Sequence, residues 1–445
     1  MGKDTAESKI AELIVSSKAP GGDVAARISE LMLDTSGILI AAARTDFASL
    51  MAKTVHQSGD TPLLTGGSSD LMGALLMNSS LGYCLDLDAV YNPATLHIAA
   101  ALFPSLLTLA AYRGSEGQEF MRAFNAGHDV AAAFGRAFSP SEMYVRNFHP
   151  SSVCGAIGCA AASSVLLGLD EAHVSDALGL ATTMASGLTT VFDEERHHSA
   201  PFQIGHAARC GVEAALFAEA GIAGPPMFGK KNIMDTFSSG QSDGKTALLF
   251  ETLESGGSVM QTGFKRHAAC KFLQTAVDAA IAMREEGFDA EDISEIRLSV
   301  APSTAPLIDN AGDLTHNAQL VLSAALIDGR VSGGQHASIR SRGDIAALSR
   351  KVTVVADGKL ERYYPQAMPA GLELKNRRGK ILSKFVEYAK GDPKNTLSTS
   401  ELMEKFDNLA SGRPDSGNMA KAIERIRRAD GPSQMLEMLC RRGGV

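Results

Sequence analysis

Asn147-Phe148-His149-Pro150-Ser151-Ser152-Val153-Cys154-Gly155-Ala156-Ile157-Gly158-Cys159-Ala160-Ala161-Ala162 decides how the rest of the chain reads. A proline after a histidine, followed by two serines, marks a helix start, because the first turn does not use the N–H that proline lacks. The residues beyond it are almost all small, so neighbouring helices can approach closely and hold that start in a core. Unpaired N–H groups at a helix start favour an anion. His149 beside them suits proton transfer on a carboxylate. The competing reading is a plain core helix with an incidental histidine.

Outward from this stretch, the first half of the chain reads as helix. Residues 23–43 carry Ile28, Leu31, Leu33, Ile38 and Ile40, the broad apolar stripe of a buried helix. Gly66-Gly67-Ser68-Ser69 is a turn without the lysine or preceding strand of a phosphate loop. Asn92-Pro93 reads as the N-cap and first residue of a helix running to Tyr112, with a kink expected at Pro104. Further helices are expected over 118–138, 153–167, 175–185 and 204–220, then a loop around Pro225-Pro226.

The pattern changes after Gly263. An amphipathic helix is expected over 268–283, and Ile296-Arg297-Leu298-Ser299-Val300 alternates with the period of a strand. Val352 to Val355 is a second strand, and Leu372 to Lys375 with Lys380-Ile381-Leu382 reads as a hairpin; 318–326 is helical. Ser398 and Glu401 form a capping box ahead of Leu402, Phe406 and Leu409 on one face, and 420–426 and 433–439 close the chain. The expected fold is mainly α with an α+β second domain. Residues 1–263 make the helical domain, with 397–445 docking back onto it, and 264–396 make the α+β lid.

At 445 residues the chain exceeds one core, and its 45% hydrophobic and 21% charged content is that of a globular protein. A net charge of −8 argues against nucleic acid or an anionic membrane as the main partner. No apolar run reaches the roughly 18 residues of a membrane span. The polar start Met1-Gly2-Lys3-Asp4 is no signal peptide, so a cytoplasmic location is expected. The six cysteines are scattered without a CxxC pair, as expected of buried, reduced thiols, and Cys270 reads as a structural residue of a buried helix. No metal-ligand spacing is visible; His197-His198 beside Glu194-Glu195 comes nearest.

Three groups carry candidate chemistry. Asp86 and Asp88 sit in apolar sequence ahead of His97, and a partly desolvated aspartate has a raised pKa suited to proton transfer. Turn capping by the acids and a core role for His97 are the alternative. Tyr144, Arg146 and His149 form the second group: Arg146 suits a carboxylate, and Tyr144 a developing oxyanion. In the third, Lys265, Arg266, His267 and Lys271 crowd the domain junction, a preferred place for ligands, or else form a solvated basic edge.

These residues resemble the MmgE/PrpD family, which includes 2-methylcitrate dehydratases, cis-aconitate decarboxylases and iminodisuccinate epimerases. The resemblance covers nearly the whole chain. It rests on Leu85-Asp86-Leu87-Asp88 with His97, Gly127-His128-Asp129-Val130, Asn147-Phe148-His149-Pro150 and Leu167-Gly168-Leu169-Asp170. It continues through Gly205-His206-Ala207-Ala208-Arg209, Phe264-Lys265, Ala325-Leu326-Ile327-Asp328-Gly329 and Lys390-Gly391-Asp392-Pro393. It implies a helical domain built from both chain ends, an α+β lid, a homodimer and no cofactor or metal. It also implies chemistry beside a carboxylate of a di- or tricarboxylate: proton removal, then loss of water or carbon dioxide, or return of the proton. The family's site positions fall at Asp86, His97, His149 and Lys265, with Tyr144 and Arg146 nearby.

The chain also departs from the family. Ala200 stands where a lysine is common, Gln203 where a histidine is, Leu320 where the decarboxylase branch has a tyrosine, and Val90 where a threonine is. These departures weigh against cis-aconitate decarboxylation and leave room for His197 or His198 in the lysine's place. The expected enzyme is a cofactor-independent, dehydratase-type lyase. An epimerase of an imino- or amino-dicarboxylate comes next, then a decarboxylase or a non-catalytic carboxylate-binding paralogue. The expected base is His149 or Asp86 and its partner His97 or Tyr144, with Lys265, Arg266, His267 and the helix start at Ser151 holding carboxylates.

Overall fold

The computed structural model describes residues 5–55, 58–230, 232–239, 243–410, 418, 421–424 and 431–440. The small-residue segment forms a helix over Pro150–Leu166, with Pro150 at its first position and every residue buried. Two glycines let the Gly117–Phe138 helix cross it at close range. A Cβ on Gly158 would stand 2.7 Å from the Ala131 Cβ and 2.8 Å from the Gly127 carbonyl oxygen. A Cβ on Gly127 would stand 2.6 Å from that of Ala162. Serines in such helices turn inward at little cost: Ser164, and Ser105 on the neighbouring Ile98–Arg113 helix, donate to the carbonyls of Ala160 and Ala101 one turn back.

The helix expected from Asn92-Pro93 starts later. Asn92–Ala94 is a single 3-10 turn, Thr95 follows with φ +53°, and the α-helix runs Ile98–Arg113. Asn92 does not cap locally, because its side-chain amide donates to Asp392 Oδ2 at 2.7 Å, a tertiary bond from the far end of the chain. That rearrangement leaves His97 at the mouth of the helix.

The second region is α+β. Its sheet runs in the order Val352–Ala356, Ile293–Val300, Ala370–Asn376, Ile381–Val386, the first pair parallel and the others antiparallel. Ile296 faces Leu374 and Leu298 faces Leu372, and this apolar side shares a core with the helices Gln274–Glu285 and Ala318–Asp328. The helix expected from Ala268 starts at Gln274, after a 3-10 turn over Lys271–Leu273. Distant carbonyls take the donors before it: Phe264 N–H goes to Gly391, Ala268 N–H to Val331 and Cys270 N–H to Thr315. Cys270 is therefore buried in non-helical backbone.

A single apolar cluster holds the helical residues together with Leu397, Leu402, Phe406, Met435, Leu436 and Leu439 from the end of the chain. The capping box at Ser398 forms, and the Thr399–Leu409 helix lies on the Gly22–Ala42 helix. There the Phe406 ring comes within 3.1 Å of where a Gly37 Cβ would be. Of the expected helix over 420–426, residues 421–424 are helical and the rest lie outside the described residues. Among the described residues no helix is long and apolar enough to cross a membrane. The fold is mainly α with an α+β second domain.

The glycine crossing yields a test. Gly158→Val places two methyls where Ala131 and Gly127 already stand, and overpacking of this kind costs about 1–3 kcal/mol. The thermal midpoint should fall by several degrees, and an unchanged midpoint would show that the crossing is not tight.

Candidate active site

A short antiparallel pair, Val90 against Gly263 and Tyr91 against Thr262, brings the loop carrying Asp86 and Asp88 beside the segment carrying Lys265. Lys265 Nζ forms an ion pair with Asp86 and lies 3.5 Å from Asp88 Oδ1, all three side chains being fully buried. His97 Nδ1 lies 2.6 Å from Asp88 Oδ2, and its backbone N–H donates to Ser151 Oγ at 3.1 Å. The hub of the arrangement is Tyr83. The ring centroids of His97, His197 and His149 lie 4.7, 5.6 and 6.2 Å from its own, and Lys265 Nζ lies 5.9 Å from that centroid.

Partners set the charge of each group. Burial alone would raise the Asp86 carboxyl, but the Lys265 ammonium, helped by nearby imidazoles, holds it well below the usual carboxylate range. Asp88 is held below its ordinary value against the same burial effect by His97 and Lys265. Burial would lower the pKa of Lys265, yet Asp86 and Asp88 raise it, so the ammonium stays charged. Burial pulls His97 down, and Asp88 restores only part of the loss.

His149 has a different neighbour. Its Nδ1 lies 2.6 Å from Gln203 Oε1, and Gln203 Nε2 donates to the Leu188 carbonyl, which fixes the amide's orientation. Nδ1 therefore carries the proton and Nε2 the lone pair. Burial takes the imidazole down to about 3, so it is neutral and available as a base at ordinary pH. His197 is the opposite case: burial would lower it, but the Asp313 carboxylate, 2.6 Å from Nδ1, raises it to about 9. Asp313, Thr315 and His316 form the wall from the α+β region, where His316 stacks on Phe192 at 4.3 Å. A cleft of about 570 Å³, lined by Leu85, Arg196, His197, Thr315, His336 and Arg340, meets the cluster at His197. A second, of about 670 Å³ around Arg284, Phe288 and Lys351, lies in the α+β region.

Asp86, His97, His149 and Lys265 thus converge, and Ser151 sits among them, holding the His97 backbone with its hydroxyl. Tyr144 is near but engaged, its hydroxyl 3.1 Å from Thr95 Oγ1 and pushed up to about 12 by burial. Three expected residues do not join the cluster. Arg146 is exposed and donates to the carbonyls of Asp235 and Thr236, because the turn before His149 points it outward. Arg266 is exposed, at the start of the bend that follows the buried Lys265. His267 bonds Asp278 at 2.8 Å instead.

Sequence reasoning missed Tyr83, Phe192, Asp313 and His316. The last two had a signal, a polar Asp-Leu-Thr-His island just before an apolar helix. Asp86, Asp88 and His97 offer ligand atoms within 4.8 Å of one another, the spacing of a metal site, but the Lys265 ammonium already supplies the cation between the two carboxylates.

His197 gives a pH test. An imidazole with a higher pKa in the fold stabilises it fully below the unfolded value of 6.5, and that contribution is lost as pH rises to about 9. The neutral, buried His128 and His149, both lowered to about 3, act in the opposite sense and only below 6.5. His197→Gln should therefore remove a decline in stability between pH 6.5 and 9 that the native protein shows. Urea unfolding across that range checks it; parallel native and variant curves would contradict a cationic His197.

The chain is 26% identical over 366 residues to the cis-aconitate decarboxylase of Mus musculus, covering 76% of this chain and 71% of that protein. The Homo sapiens cis-aconitate decarboxylase is 25% identical over 363 residues, 76% of this chain and 72% of its own. A cis-aconitate decarboxylase-like protein of Aspergillus oryzae is 25% identical over 404 residues, 82% and 81% of the two chains. The MmgE/PrpD N-terminal domain matches residues 8–244 and the MmgE/PrpD C-terminal domain residues 267–429, so the chain belongs to the MmgE/PrpD family.

Proposed function

We propose that this protein is a cofactor-independent lyase that removes the proton alpha to a carboxylate of a di- or tricarboxylate and eliminates water. One observation carries the reading: two buried imidazoles face the same Tyr83 ring with different partners, an amide on His149 and a carboxylate on His97. Groups whose surroundings push their proton affinities apart divide into base and acid. His149 Nε2 takes the α-proton. The C–H electron pair becomes the new double bond, and the hydroxyl leaves as water with a proton from Nε2 of His97, an imidazole that gains this proton as the substrate binds. Lys265 and His197 stabilise the enolate-like charge that develops, a contribution of roughly a few kcal/mol per donor.

Asp86 is not the base in this scheme, because its carboxylate is engaged by the Lys265 ammonium. His197 carries the positive charge that the absent lysine at Ala200 would have brought, and Gln203 orients His149. Arg196 and Arg340 at the cleft rim take the carboxylate-attracting role first expected of Arg146 and Arg266. We take residues 1–263 with 397–445 as one domain and 264–396 as a lid, in a cytoplasmic homodimer; continuity of the helical core into the chain's end supports the division. Two imidazoles on one ring also suit return of the proton to the opposite face, so an epimerase is the second reading.

The test is a panel of polycarboxylates followed by NMR in D₂O. Elimination of water supports the lyase reading, deuterium uptake without elimination the epimerase, and loss of carbon dioxide would replace dehydration with decarboxylation. His149→Ala and Lys265→Ala should each lower kcat by about a hundredfold or more; full turnover in both would overturn the site. The buried cluster sets the carboxylates of Asp86, Asp88 and Asp313 against two cations, so a dianionic substrate should bind with uptake of a proton at His97. KM should then rise with pH, and calorimetry in buffers of differing ionisation enthalpy should show the uptake.

A further inference from the structure

We infer that the stretch from Gly391 to Lys405 clamps the two halves of the buried ion cluster together, with Lys405 as a positioning residue for Asp86 and Asp88. The inference rests on the reading of Asp86, Asp88 and Lys265 as parts of the reacting cluster. At one end of the stretch, the Gly391 carbonyl accepts from the N–H of Phe264, the residue before Lys265, at 2.8 Å. Gly391 has φ +100°, and the Phe264 backbone lies where its Cβ would be, so no other residue fits there without displacing Phe264. Asp392 Oδ2 accepts from Asn92 at 2.7 Å and lies 3.4 Å from Lys271 Nζ, which ties in the turn ahead of His97.

At the other end, Lys405 Nζ donates to the Leu87 carbonyl at 2.8 Å, the peptide oxygen between Asp86 and Asp88. The same ammonium lies 2.6 Å from Oδ1 of the fully buried Asp34 on the Gly22–Ala42 helix. One stretch of chain therefore holds the neighbour of Lys265 and the residue between the two aspartates. The Lys265–Asp86 ion pair spans those two points. Desolvating both charges is costly, and their attraction offsets that cost only at close, well-aligned geometry. Loss of either anchor loosens the cluster without removing any member of it.

Lys405→Met should lower kcat roughly tenfold or more with a smaller change in KM, since a small misplacement of reacting groups is felt mainly in the chemical step. Lys405→Arg should restore most of it. Asp34→Asn combined with Lys405→Met leaves no unpaired buried charge, so it keeps the test available where the single variant folds poorly. Gly391→Ala should produce the same defect from the opposite anchor.

Two readouts separate positioning from simple destabilisation: the pH profile of kcat, and the ¹⁵N ring signals of His97, which need no substrate. Both should shift in the Lys405 and Gly391 variants. Unmoved His97 signals, whatever happens to the melting point, would overturn the clamp. Failure of the lyase reading looks different: His149→Ala and Lys265→Ala would keep full turnover while the His97 signals still responded to Lys405→Met.

Discussion

A lysine ammonium with no access to solvent, held between the carboxylates of Asp86 and Asp88, is the interaction on which the rest of this structure depends. Three ionised groups inside an apolar core are costly to desolvate, and they persist only where partners and geometry compensate. The surrounding fold supplies both. Small-residue helices cross at glycines and leave little room for the walls to move, and Ser151 fixes the backbone at His97. The pairing of Val90–Tyr91 with Thr262–Gly263 sets the lysine segment against the aspartate loop.

Within those walls, chemistry is assigned by neighbours and not by residue type. His97, His149 and His197 are all buried imidazoles packed on Tyr83. A carboxylate whose charge is shared with Lys265 makes His97 the proton donor in the proposed scheme. An amide leaves His149 neutral, and Asp313, reaching over from the α+β region, makes His197 a cation. His128 is the useful contrast. It is as buried as the others and bonded to the hydroxyls of Ser258 and Thr262, yet its ring packs on Tyr91 and Phe124 and not on Tyr83. Burial by itself does not make a functional histidine.

The path of the chain explains why the α+β region belongs to the same site. It contributes Asp313, Thr315 and His316 to one wall, and the chain then returns through Gly391 and Asp392 to the helical core. That return places the Thr399–Leu409 helix on Gly22–Ala42, with Lys405 reaching the aspartate loop. The last part of the chain is in this way connected to residues near position 87 as directly as their sequence neighbours are.

Much of this was readable from residues alone. Small residues after Pro150, period-two alternation at Ile296 to Val300 and the capping box at Ser398 are local signals, and local backbone preference honours them. The types of group in the site were also legible, because acids, imidazoles and lysines in apolar text must find partners. Which group meets which partner was not. Asn92 gave up its expected cap for Asp392, and the segment before Gln274 gave up helix for bonds to Gly391, Val331 and Thr315. Arg146 and Arg266 turned to the surface, and Tyr83, an unremarked tyrosine, became the centre. Sequence determines which elements form and which charges must be satisfied. Only tertiary structure decides the pairing, because hydrogen bonds and ion pairs between residues hundreds of positions apart leave no trace in local periodicity.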